Sequence, residues 1–330
     1  MTAIADRLFG RARSAHGVLG FGGAPLGNFA AAMDDEQAGR TLRRAWAGGI
    51  RYFDTAPHYG LGLSERRIGA ALRDRPRDEF VISTKAGRLL VPRDRPLAQD
   101  DDGFVVPGTL RRQWDFTVTG VERSLRESLG RLALDSVDIL FAHDPDQAWA
   151  GAARQALASL ARLRSAGLVS AIGIGTNATA GLEGVIRDGL VDVIMLANRY
   201  SLLDQEALGS VLEPAREHGV AVVAAGVFAT GLLSTAHPRR DATYDYRPAP
   251  AGVLGRAGRM AEICADHGVP LPAAALAFPL LHPAVAAVAV GMRSPHEVDE
   301  DLRHLCTDVP AALWRDLVAG GFVPAGAVGL

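Results

Sequence analysis

Short apolar, β-prone runs alternate along the chain with longer stretches whose apolar residues fall on one helical face. The runs predict strands over Val18–Gly22, Ile50–Asp54, Phe80–Lys85, Val137–His143, Ala171–Gly175, Asp192–Leu196, Val220–Ala225 and Ala286–Val290. The amphipathic stretches predict helices over Asp35–Ala47, Glu65–Arg73, Thr117–Leu132, Ala152–Ser165 and Glu206–His218. Ser64, just before Glu65, reads as an N-cap with an acid in the first turn. The segment from Val269 to Met292 carries no Asp, Glu, Lys or Arg, but Pro270, Pro272, Pro279 and Pro283 would break a spanning helix. It predicts a short buried helix, about Ala273–Leu281, running into the last strand.

Strands that alternate with helices in this way specify an α/β fold. Eight such units predict a closed (β/α)8 TIM barrel occupying residues 1–330 as one domain, although an open doubly wound sheet uses the same alternation. Two connections exceed ordinary length, Ala86 to Asp115 and Ser234 to Pro250. Both follow strands, so both are expected as long structureless loops rising from the C-terminal rim, where lids and binding loops sit.

The chain has 330 residues, of which 48% are hydrophobic, enough for a sizeable core. A formal net charge of −2 with both signs interleaved gives no electrostatic case for nucleic acid or an anionic membrane. Cys264 and Cys306 lack disulfide or zinc-ligand spacing and read as reduced. No apolar core follows the arginines near the start, so a cytoplasmic protein, monomeric or homo-oligomeric, is expected.

Polar residues at the strand ends supply the candidate chemistry. Pro57 ends the second strand near Asp54, and Tyr59 lies in the loop that follows; Lys85 completes the third strand and His143 the fourth. A lysine completing an apolar strand is costly to bury unpaired, which makes Asp54 its expected partner. A free phenol titrates near about 10, too high for acid–base work at neutrality, and an adjacent ammonium favours its phenolate. Lys85 is therefore expected to bring Tyr59 below the free-tyrosine value, with His143 bonding a substrate oxygen. The bland reading is a turn cap at Asp54 and a half-buried aromatic at Tyr59. Two other chemistries use the same chain. Gly173-Ile174-Gly175-Thr176-Asn177-Ala178 fits a dinucleotide fingerprint, but the next strand ends in Asn198-Arg199 where an acid is needed. Asp54, His58, His143, Asp144 and Asp146 are metal-ligand types, yet the other strand ends add none, so no metal is expected.

With those residues in place the chain resembles the aldo-keto reductases, barrel enzymes that use an Asp, Tyr, Lys, His tetrad and a nicotinamide cofactor. The resemblance runs from Gly20-Phe21-Gly22-Gly23 through Asp54-Thr55-Ala56-Pro57-His58-Tyr59-Gly60-Leu61-Gly62-Leu63-Ser64-Glu65, Lys85 and His143. It continues in Gly173-Ile174-Gly175-Thr176-Asn177, Gly231-Leu232-Leu233 and Gly291-Met292-Arg293-Ser294-Pro295. Ala24-Pro25-Leu26-Gly27-Asn28 and His143-Asp144-Pro145-Asp146 are most similar to the D-threo-aldose 1-dehydrogenase branch, with pyridoxal 4-dehydrogenases close by.

The resemblance implies an oxidoreductase that oxidises an aldose such as L-fucose or D-arabinose at C1 to its lactone, or a carbonyl reductase in reverse. Tyr59 would be the acid–base group, tuned by Lys85 and Asp54, with His143 orienting the substrate. From their place beside the long loops, His58 and Trp114 are expected as substrate contacts, surface packing being the alternative. Cofactor contacts are implied at Gly22, Gly23, Asn177, Asn198, Gly226, Phe228, Gly291, Arg293, Glu297 and Asp301. Ala225-Gly226 stands where many relatives carry a Tyr stacked on nicotinamide, and Ala197-Asn198 where they carry a Gln. Phe228 or Tyr200 could take over the stacking, Tyr200 otherwise being a packing residue. NADP-using relatives place a lysine near Gly291 and an arginine near Glu297. Both are absent here, so NAD is expected over NADP, with Arg293 as the remaining phosphate partner. A nicotinamide-nucleotide-binding regulatory subunit without turnover would keep the same tetrad.

Overall fold

A computed structural model describes residues 3–15 and 17–329. Eight parallel strands close into a barrel in sequence order: β1 (Leu19–Gly22), β2 (Tyr52–Asp54), β3 (Val81–Ala86), β4 (Val137–His143), β5 (Val169–Thr176), β6 (Val193–Ala197), β7 (Ala221–Ala225) and β8 (Val285–Gly291). Closure is direct, since β8 pairs with β1 through Leu19↔Val288 to Gly22↔Gly291. Each expected strand is present with small shifts at its ends, and the open sheet is excluded. The helices are α1 (Ala3–Phe9), α2 (Asp35–Ala47), α3 (Leu63–Leu72), α4 (Val118–Leu132), α5 (Ala152–Ser165), α6 (Leu182–Arg187), α7 (Glu213–His218), α8 (Ala251–Asp266), α9 (Leu271–Leu280), α10 (Pro295–Leu305) and α11 (Ala311–Ala319). No single helix among the described residues is long and apolar enough to cross a membrane, and Cys264 and Cys306 are free.

Alternation along each strand makes two cores. Phe53, Ile82, Leu140 and Ile172 face outward and pack against Leu42, Ile68, Leu125 and Leu160 of the helices. Tyr52, Val81, Ile139, Phe141 and Met195 face inward, joined by Ala5, Leu8 and Phe9 of α1. Phe9 meets Tyr52 edge-on at 5.0 Å and closes the end of the barrel opposite the strand C-termini. Burying such a ring contributes roughly 1.5–3 kcal/mol.

Several local expectations change. Ser64 does not cap α3; Gly62 does, at φ 82°, and the Ser64 hydroxyl instead donates to Gly23 O (2.7 Å) and contacts Thr55 Oγ1 (2.8 Å). Glu65 is the expected acid of the first turn and is fully buried. The stretch Glu206–His218 opens as a π-helical turn, Leu208–Leu212, before α7. Pro214 explains this, because it has no N–H to return to Ser210 and its ring displaces that carbonyl.

The connection from Ala86 to Asp115 is not structureless. Arg88–Leu97 pairs antiparallel with Gly108–Trp114 in a register set by Arg88↔Trp114 and Leu90↔Arg112. The tip of this hairpin reaches the loop after β1, where Val105 N–H donates to Asn28 O (2.9 Å) and Ala30 N–H to Gly103 O (3.0 Å). It therefore straps the barrel mouth from β3 to β1. In the second long connection, Thr243–Tyr244 pairs with Arg247–Pro248 around a turn whose residues Asp245 and Tyr246 both take left-handed backbone.

Candidate active site

Three consecutive strands carry the charged cluster to the C-terminal rim: Asp54 ends β2, Lys85 lies near the end of β3 and His143 ends β4. Lys85 Nζ donates to Asp54 Oδ2 (2.6 Å), Thr55 O (3.0 Å) and Tyr59 Oη (3.1 Å), so all three ammonium protons have acceptors. Ser83 Oγ donates to the other Asp54 oxygen at 2.7 Å, and Tyr52 Oη lies 3.0 Å from Ser83. Both charges are buried, and the pair holds because each is hydrogen-bonded as well as neutralised. Burial by itself pulls the Lys85 ammonium down, but Asp54 and then Tyr59 outweigh it and the net shift is upward.

Tyr59 sits in a loop whose backbone packs directly on the loop after β1. Gly60 has φ 62°, and a Cβ there would lie 2.2 Å from Gly27 O. Tyr59 keeps some exposed surface, yet the protein around its hydroxyl pushes the phenol up to about 12. Lys85 acts downward as expected, but burial is the larger effect, so the expected value below free tyrosine is not met. A bare strand-end pattern carries no information on how much protein surrounds the hydroxyl.

His143 meets Tyr59 edge-on at 5.9 Å, and burial followed by Arg88 and Lys85 holds it well below the usual histidine range. It is a neutral imidazole whose buried Nδ1 has no partner among the described residues. His58 lies 5.3 Å from His143 and accepts from Arg112 Nε at Nδ1 (2.9 Å). Burial, then Arg88 and Arg112, lower its pKa to about 2.

The hairpin supplies a ceiling that the sequence pattern did not disclose. Phe104 packs 5.1 Å from His58 and 6.2 Å from Tyr59, and Arg112, ion-paired to Asp100, also donates to His58 O (2.8 Å). Arg88 pairs with Asp144 and donates to Gln147 Oε1 (3.1 Å), and Trp114 covers its guanidinium at 4.5 Å. Trp114 thus reaches the cluster through Arg88 and Asp144 and does not touch Tyr59.

The expected cofactor residues group along the opposite side of the mouth. Gly22 pairs with Gly291, and Gly23 N–H donates to Asp54 O (2.8 Å). Asn198 adopts left-handed backbone, and a Cβ on Gly226 would lie 2.2 Å from its Oδ1. The Tyr246 hydroxyl is turned toward this amide without forming a proper hydrogen bond, so both Asn198 amide atoms are buried and unsatisfied. An unpaired carboxamide beside a glycine and across from the tetrad fits a planar amide-bearing ring. Asn177 stands after β5, its carbonyl accepting from Arg199 Nε at 2.8 Å.

Two expected candidates for ring stacking pack elsewhere. Phe228 packs against the outer core, and Tyr200 is buried between Phe278 (5.2 Å) and His282 (6.0 Å), a packing residue. Tyr246, 56% exposed and 6.0 Å from Phe29, is the aromatic that the second long connection brings to the mouth. The glycines of the fingerprint-like segment at Gly173 and Gly175 lie inside β5 and not in a phosphate-binding turn. Among the described residues no group of three or more His, Cys, Asp or Glu is arranged to hold a metal.

Past β8, Glu297 closes a reciprocal cap on α10: Glu297 N–H donates to Ser294 Oγ (3.1 Å) and Glu297 Oε2 accepts Arg293 N–H (2.7 Å). Arg293 is not available for a phosphate. Its guanidinium donates to Phe29 O (3.0 Å), Ala31 O (2.9 Å) and Ala32 O (3.3 Å), which overturns its expected role. Asp301 is largely buried beside Glu297 and Glu300, and burial with those two charges pushes it up to about 7.

A closed parallel barrel with a lysine bridging a carboxylate and a phenol at its C-terminal rim defines a barrel oxidoreductase of the nicotinamide-dependent kind. The chain belongs to the aldo/keto reductase family, whose model matches residues 18–316. It is 46% identical to D-threo-aldose 1-dehydrogenase of a Pseudomonas species, over 93% of this chain and 94% of that one. It is 35% identical to pyridoxal 4-dehydrogenase of Microbacterium luteolum, over 98% and 99% of the two chains. Among solved structures it is similar to an aldo-keto reductase from Bacillus halodurans in its holo form, with TM-score 0.70, 25% identity and coverage of 93% and 92%.

Proposed function

We propose that this protein oxidises aldoses at C1 to lactones with NAD as acceptor, as a single cytoplasmic barrel domain. One observation carries the reading: Lys85 Nζ joins Asp54 and Tyr59 within hydrogen-bond distance, facing an uncharged His143. Tyr59 Oη takes the proton of the C1 hydroxyl, and Lys85, fixed by Asp54, stabilises the phenolate required for that step. His143 donates a hydrogen bond to the substrate oxygen and, being neutral, releases no proton into the site. Bound nicotinamide supplies the hydride acceptor. Asn198, packed against Gly226, and Asn177 would hold its carboxamide, while Gly22, Gly23, Gly291, Glu297 and Asp301 would line the remainder. His58, Phe104 and Arg112 keep water from the reacting carbon. Steady-state kinetics over a panel of aldoses with both nucleotides tests the reading. Undetectable turnover with every sugar and aldehyde would leave a nucleotide-binding regulatory subunit in its place.

NAD selection follows from charge. Discrimination falls on the 2′ position of the adenosine ribose, where a hydroxyl can donate to Glu297 and a phosphate is repelled by it. Glu297→Arg is expected to shift the NADP/NAD ratio of kcat/KM upward by about tenfold or more, two charges having changed. A wild type that favours NADP, or an unmoved ratio, defeats this assignment.

Trp114 has a smaller expected role. Trp114→Ala is expected to raise KM for the aldose by roughly three- to tenfold through a loosened Arg88, with KM for NAD unchanged. Equal effects on both would make it a purely structural residue.

A further inference from the structure

We propose that Asp144, held in place by Arg88, recognises the hydroxyl on the carbon adjacent to the reacting one, making the enzyme selective for 2-hydroxy carbonyl compounds and their cyclic hemiacetals. This rests on the tetrad reading above and names what sits beside it.

Successive residues of a strand point to opposite faces, so Asp144 would ordinarily face away from His143. It does not, because β4 ends at His143 and Asp144 takes φ 43°, ψ 52°, a left-handed conformation that costs a non-glycine residue on the order of 1 kcal/mol. The turn is pinned by Asp144 N–H donating to Gly175 O (2.8 Å) and by Gln147 N–H donating to Asp144 O (3.0 Å). Its effect is to return the carboxylate to the catalytic side, with Oδ2 3.6 Å from His143 Nε2.

The same Oδ2 receives Arg88, which leaves Oδ1 with no donor among the described residues. Arg88 is fixed on three sides, by Asp144, Gln147 and the Trp114 face, yet its Nε is buried with no acceptor among the described residues. A buried, unsatisfied guanidinium N–H and a carboxylate oxygen free of protein donors among the described residues, both neighbouring a catalytic imidazole, form a matched donor and acceptor. Vicinal hydroxyl oxygens lie about a hydrogen-bond length apart. With the C1 oxygen between Tyr59 and His143, the C2 hydroxyl falls opposite Asp144, donating to the carboxylate and accepting from Arg88. A substrate without that hydroxyl leaves both groups unpaired, and selectivity follows from that cost.

The test compares matched substrate pairs on wild type, Asp144→Asn and Arg88→Met. One pair is an aldose and its 2-deoxy analogue, oxidised with NAD; the other is glycolaldehyde and acetaldehyde, reduced with NADH. Wild type is expected to prefer the 2-hydroxy member of each pair by roughly 10- to 150-fold, the worth of a hydrogen bond to a charged group. Both variants are expected to lose most of that preference, the fall with the hydroxylated member exceeding any fall with the other by roughly the wild-type ratio. Equal losses on both members would show that Asp144 only positions His143, and a wild type indifferent to the 2-hydroxyl would overturn the proposal outright. If no sugar is oxidised the aldose reading fails, and the glycolaldehyde pair still decides the role of Asp144.

Discussion

Tyr59→Phe is expected to lower kcat by roughly 10²–10⁴-fold in both directions while leaving thermal stability and nucleotide binding near wild type. The hydroxyl is the only group removed, and its one hydrogen-bond partner among the described residues is Lys85 Nζ at 3.1 Å. That ammonium keeps Asp54 and Thr55 O, so no buried charge is stranded. A variant retaining a tenth of wild-type kcat would show that another group moves the proton.

The pH dependence follows from the same hydroxyl. With the phenol pushed up to about 12 by burial, phenolate is the minor form across the working range, and its fraction rises tenfold per pH unit below that value. Oxidation, which needs the phenolate, is expected to climb with near-unit slope from neutral pH without levelling before the alkaline limit of the fold. Reduction, which needs the phenol, is expected to stay flat over the same span. Lys85→Met removes the charge that draws the phenol down, so oxidation should fall at every pH. Flat oxidation in both proteins, with a deuterium effect at C1 showing hydride transfer to be rate-limiting, would rule out Tyr59 as the base.

Where a pattern had a single physical cause, the sequence was readable. Strands buried on both faces are apolar runs, so Asp54, Lys85 and His143 stood out as polar endings of otherwise apolar segments, and the barrel brought them together. The hairpin over the site was hidden, because its outward-facing arginines and its prolines mask the alternation that marks a strand. Arg293 was misjudged for another reason: whether a guanidinium is free depends on carbonyls some 260 residues away in sequence, at Phe29, Ala31 and Ala32. Asp144 was legible only as a metal-ligand type and as part of the His143–Asp146 motif, because the left-handed backbone that turns its side chain toward His143 leaves no mark in the sequence.

Glu65→Ala is expected to destabilise the protein by about 3–5 kcal/mol, the largest effect on stability expected of a single substitution outside the tetrad. Glu65 has no exposed side-chain surface; it accepts from Thr84 Oγ1 (2.8 Å) and from Arg131 Nε (2.5 Å). It thereby ties α3, which directly follows the Tyr59 loop, to β3 and α4. Truncation leaves the mostly buried Arg131 guanidinium without its buried counter-charge, only the more distant Glu127 remaining at 4.0 Å, the Thr84 hydroxyl without that acceptor and a cavity between the elements. Glu65→Gln keeps the volume and an acceptor for Thr84, so its cost should be smaller, about 2 kcal/mol. The double variant Glu65→Leu with Arg131→Met replaces the ion pair by apolar contact and should recover much of the loss. Urea denaturation of the four proteins measures this. If the double variant is as unstable as Glu65→Ala, the stranded charge is not what makes that substitution costly, and the packing of α3 on α4 is.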